Sequence, residues 1–64
     1  MASYKINDDG GVTVFRTYKH PLSAVRRRAK ELADKHDEEM IIVNTRTDSL
    51  VRIVRPTAWK MRDI

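Results

Sequence analysis

The sequence predicts an α+β fold of element order ββαββ, a four-stranded antiparallel sheet with one helix packed on one face. Three observations carry that expectation. Two short β-rich runs flank the turn signal Asp8-Asp9-Gly10-Gly11. One amphipathic stretch follows, opened by Pro21. Two more apolar runs of strand length complete the pattern before Pro56.

Tyr4-Lys5-Ile6-Asn7 alternates apolar and polar, as a half-buried strand does. Asp-Gly and Gly-Gly supply the positive φ that tight hairpin turns require. Val12 to Tyr18 is rich in β-branched and aromatic residues and reads as the return strand.

Pro21 suits a first helical turn, where its missing N–H costs nothing. The helix is expected from about Pro21 to Lys35 or His36, with Leu22, Val25, Ala29, Leu32 and Ala33 as its apolar stripe. Arg27 to Glu31 and Glu31 to Lys35 have the spacing of i,i+4 ion pairs. Asp37-Glu38-Glu39 is unfavourable beside the negative end of a helix and marks the exit loop.

Met40 to Asn44 is the third strand, a continuous apolar run. Arg46-Thr47-Asp48-Ser49 is polar and turn-like but lacks glycine. Leu50 to Arg55 is the fourth strand, and Pro56 ends its pairing. Residues 1–56 thus form one domain. Residues 57–64 form a C-terminal tail, either a short helical turn or flexible.

The helix covers only one sheet face, yet strands three and four are apolar on both. Ile41, Val43, Val51 and Ile53 make one set, and Met40, Ile42, Leu50 and Val54 the other. The set turned away from the helix is expected to be an interface, for a homodimer or for a protein partner. Met40, Ile42, Leu50 and Val54 are the expected interface set, with Trp59 and Met61 of the tail as further anchors. Alternatively, Trp59, Met61 and Ile64 fold back and cover that face.

The chain has 64 residues and no cysteine. A chain of this length buries only about 60% of its unfolded surface. Without thiols no disulfide or thiolate metal site supports the core, which suits a reducing, cytoplasmic compartment. No apolar run approaches the ~20 residues of a membrane span, and no signal-peptide pattern opens the chain.

Asp9-Gly10-Gly11, the helix segment Ala29-Lys30-Glu31-Leu32-Ala33 and the strand Met40-Ile41-Ile42-Val43 together resemble small uncharacterised bacterial and phage ββαββ proteins. The resemblance spans most of the chain. It departs at Val12, where those proteins carry an aromatic residue after the glycines. It implies a fold and no activity.

Catalysis is not expected. His20 and His36 flank one helix, and about 16 residues at ~1.5 Å rise set them roughly 24 Å apart, too far to share a metal or a proton. Asp8 and Asp9 are explained by the turn they form. No serine has a histidine at a recognisable spacing, and no glycine loop cradles phosphate. So small a domain also lacks room for an enclosed small-molecule pocket, and no cofactor is expected.

Charge carries the functional signal. The formal net charge is +4. Every charge from Arg16 to Lys30 is positive, whereas Glu31 to Glu39 is mostly acidic. Three consecutive arginines, Arg26, Arg27 and Arg28, lie mid-helix. At ~100° per residue Arg27 points away from the apolar stripe. Arg26 with Lys30, and Arg28 with Lys35, form flanking cationic edges. The expected function is a non-enzymatic binding module. Arg26, Arg27, Arg28, Lys30 and Lys35 face nucleic acid or an acidic protein surface, and Arg52 and Arg55 add a second basic strip. Such a surface neutralises roughly four to six phosphates. The alternative is a protein–protein module or inhibitor that uses the second sheet face, an edge strand and the tail.

Overall fold

The computed structural model describes residues 3–17 and 20–62, the last three of these as backbone only. The elements in chain order are β1 (Tyr4–Asn7), β2 (Thr13–Thr17), α1 (Leu22–His36), β3 (Met40–Asn44), β4 (Ser49–Val54) and α2 (Thr57–Arg62). The strands form one sheet in the order β2-β1-β3-β4, and every neighbouring pair is antiparallel. The ββαββ arrangement is therefore the one the sequence predicts. β2 and β3 both run antiparallel to β1, so α1 carries the chain over β1 from one to the other.

The first turn closes around Asp8. Its Oδ1 accepts from the backbone N–H of Gly10 and of Val12, each at 2.9 Å. Gly11 takes φ 84°, the positive angle the glycine pair anticipates. The second turn solves the same problem without glycine. Asp48 adopts φ 56°, which aspartate tolerates better than most side chains.

Pro21 caps the start of α1 through its carbonyl, which accepts from Ala24 N and Val25 N. At the other end Asp37 turns left-handed at φ 55°, and its N–H returns to the Ala33 carbonyl. Leaving the helix there swings the chain directly into β3.

Val25, Ala29 and Ala33 of α1 are buried against Ile6, Met40 and Ile42 of the sheet. Tyr4, Phe15, Leu22, Leu32 and Val54 pack around this cluster. The alanines let the helix sit close to the strands.

This packing reverses the expected interface. Met40 and Ile42 are 0% exposed and belong to the core beneath α1, and Val54 packs against that core. The cause is β1. Ile6 pairs with Ile42 while Lys5 pairs with Val43, so the polar positions of β1 share a face with Ile41 and Val43. Leu50 alone of the expected strand set faces outward. A register shift between Ile42 and Val43 leaves two residues of β4, Leu50 and Val51, opposite Val43. On the face turned away from α1, Leu50, Val51 and Ile53 are exposed, Ile41 is half-buried and Val43 is buried.

The tail does not cover that face within the described residues. α2 docks on α1 instead. Thr57 donates its backbone N–H to Asp34 Oδ1 at 2.7 Å and its hydroxyl to Oδ2 at 3.3 Å. Trp59 Nε1 donates to Asp37 Oδ1 at 2.9 Å, so the indole is tied to the end of α1 and not to the open sheet face. The Met61 side chain and Ile64 lie outside the described residues. No helix among the described residues is long and apolar enough to cross a membrane.

Candidate nucleic-acid interface

β4 is an edge strand, and α1 does not fully cover it. Arg52 pairs with Ile42 in the β3–β4 ladder and so stands on the helix side of the sheet. A cation at that position cannot join the core, and the space between α1 and β4 stays open. The result is a groove of about 710 Å³. From α1 it is lined by Ser23, Arg26, Arg27 and Lys30. From the opposite side it is lined by Arg52, Ile53, Val54 and Arg55.

The two basic strips expected from the sequence thus meet across one groove. Five basic residues from segments more than twenty residues apart line the same space. Their anchoring differs. Lys30 Nζ donates to the Arg55 carbonyl at 2.9 Å, which ties α1 to the end of β4. Arg55 Nε sits 2.8 Å from Glu39 Oε2. Arg26, Arg27 and Arg52 have no carboxylate within ion-pair distance among the described residues. All three are exposed, so their guanidiniums are available to an anion.

Arg28 belongs elsewhere. Its Nη1 lies 3.1 Å from Glu31 Oε2, and its guanidinium stacks 4.9 Å from the Phe15 ring centroid on β2. Glu31 therefore partners Arg28 at i,i+3, not Arg27 at i,i+4 as the spacing suggests. Of the two flanking residues expected as contact edges, Arg26 lines the groove and Arg28 does not. Arg27, expected as the partly neutralised pole, lines the groove instead. Lys35 is exposed in the last turn of α1 and is not part of the groove lining.

Ser23 is the lining residue that the charge pattern missed. Its signal lies in spacing: Ser23, Arg26, Arg27 and Lys30 stand at i, i+3, i+4 and i+7, one stripe of a helix. Asp34 stands in the acidic stretch Glu31 to Glu39. Its role as the acceptor that starts α2 follows from a contact across 23 positions that no local pattern encodes.

His20 precedes α1 and His36 ends it, as the sequence spacing requires. No group of three His, Cys, Asp or Glu side chains that could hold a metal ion occurs among the described residues. Comparison with protein-family models, with curated proteins and with solved structures returned no match.

Proposed function

We propose that this protein is a non-enzymatic nucleic-acid-binding module that holds phosphates in the groove between α1 and β4. One observation carries the reading: Arg26, Arg27, Lys30, Arg52 and Arg55 converge on one open groove, and three of them lack a carboxylate partner among the described residues. Charge that merely solubilises a small domain is expected to be interspersed with the opposite sign. Here one carboxylate, Glu39, pairs with the groove residue Arg55, while Glu31 is engaged on Arg28 and Asp34 on Thr57. The absence of cysteine fits work in a reducing, cytoplasmic compartment.

Binding of a fluorescent DNA duplex at several salt concentrations tests the reading. Affinity should fall linearly on a log–log plot, with a slope magnitude of roughly three to five. An affinity that ignores salt would sink the proposal.

A second reading has its own support. Leu50 is 61% and Val51 36% exposed on the uncovered half of the sheet. An apolar surface on β3 and β4 suits a protein partner or a second copy of the chain. In a pull-down from lysate, partners lost on nuclease treatment favour the groove, and partners kept favour the sheet face.

A further inference from the structure

The groove has a chemical composition that narrows the kind of nucleic acid it suits. Apart from basic side chains, its described lining residues are Ser23, Ile53 and Val54. Among the described residues, which do not include Tyr18, no aromatic ring lines it. Tyr4 and Phe15 pack against the core, and the Trp59 indole is bonded to Asp37 at the far end of α1. Among the described residues no asparagine, glutamine or carboxylate lines it either, so the side chains that read adenine and cytosine edges are missing; arginine can read guanine, and a G·C-rich duplex tests that contact.

Single-strand binders rely on stacking bases against aromatic rings. A groove with no ring among its described lining residues relies chiefly on its attraction for phosphates. Phosphates are densest on a duplex, at about one charge per 1.7 Å of helix axis, and each neutralised phosphate there releases more counterion than on a single strand.

We infer that the groove grips the phosphate backbone of duplex nucleic acid without reading base sequence. The inference rests on the nucleic-acid reading above and adds a substrate class to it. Arg26, Arg27 and Arg52 make the contacts, while Lys30 and Arg55, each held by a bond within the protein, shape the wall.

The test is fluorescence anisotropy with short DNA duplexes of A·T-rich, G·C-rich and mixed sequence, with the matching single strands, and with R26E/R27E and R28E variants. The three duplexes should bind within about threefold of one another, and single strands about tenfold or more weaker. R26E/R27E should abolish binding to all duplexes while R28E retains it, with circular dichroism confirming that both variants fold. Discrimination among duplexes beyond about tenfold would overturn the inference, because good base contacts produce differences of that size. So would tighter binding to single strands. Either result leaves the nucleic-acid reading standing. Failure of wild-type protein to bind any of these probes at low salt overturns that reading as well. Full binding by R26E/R27E removes the groove as the site.

Discussion

Asp48 holds the β3–β4 turn in a backbone conformation that a β-branched side chain resists. Asp48→Val should therefore destabilise the protein by about 1–2 kcal/mol, measured by urea denaturation. Its exposed ion pair with Lys5, at 3.6 Å, contributes little of that. Ala29 sets the distance between helix and sheet. It is fully buried between Val25 and Ala33 on one side and the strands on the other. Ala29→Leu should cost about 1–3 kcal/mol through overpacking, and it should do so without touching the groove. Both residues look unremarkable in the sequence. Asp48 stands in a polar turn, and Ala29 is one of several alanines in a helix.

At the level of elements, α1 works on three sides at once. Its apolar stripe faces the strands, its Arg26–Lys30 edge faces β4, and its Arg28 edge reaches Phe15 on β2. Charge reversal at Arg26 or Arg27 should weaken duplex binding more than reversal at Arg28, read by anisotropy at fixed salt. Neutralising one groove arginine should lower the salt slope by about 0.9, one phosphate's share. α2 depends on α1 through Asp34, which supplies the acceptor that an N-cap side chain normally provides. Asp34→Ala should cost about 1 kcal/mol and raise the hydrogen-exchange rates of the α2 amides selectively. The basic strips themselves were legible, because Arg26, Arg27, Lys30, Arg52 and Arg55 are close in type and in register. Their meeting across a groove was not. It depends on β4 lying at the sheet edge on that side of α1, which is a property of strand order.

For the molecule as a whole, the two hairpins, the helix and nearly all their limits follow from local signals such as Gly10-Gly11, Pro21 and the apolar stripe. The choice of buried face does not. Met40-Ile41-Ile42-Val43 is apolar at every position and offers no alternation to decide it. Pairing with Tyr4-Lys5-Ile6-Asn7 decides it instead. The exposed residues that result can be tested directly. Leu50→Lys should change stability by no more than about 0.5 kcal/mol, since Leu50 lies outside the core, yet it should abolish any protein capture that uses the sheet face. Stability is read by thermal melting and capture by pull-down after nuclease. The central position of β1 also bears on how the chain assembles. Each hairpin closes a short loop and can form early. The β1–β3 ladder instead joins Tyr4 to Asn44 and Asn7 to Ile41, across more than thirty residues. Closing a loop of that length costs roughly 3 kcal/mol of chain entropy before any contact repays it. Docking of the two halves is therefore the expected slow step. Until β3 arrives, a nascent chain carries β1 with one edge unpaired, so synthesis leaves this small domain open to mispairing until its second half has emerged.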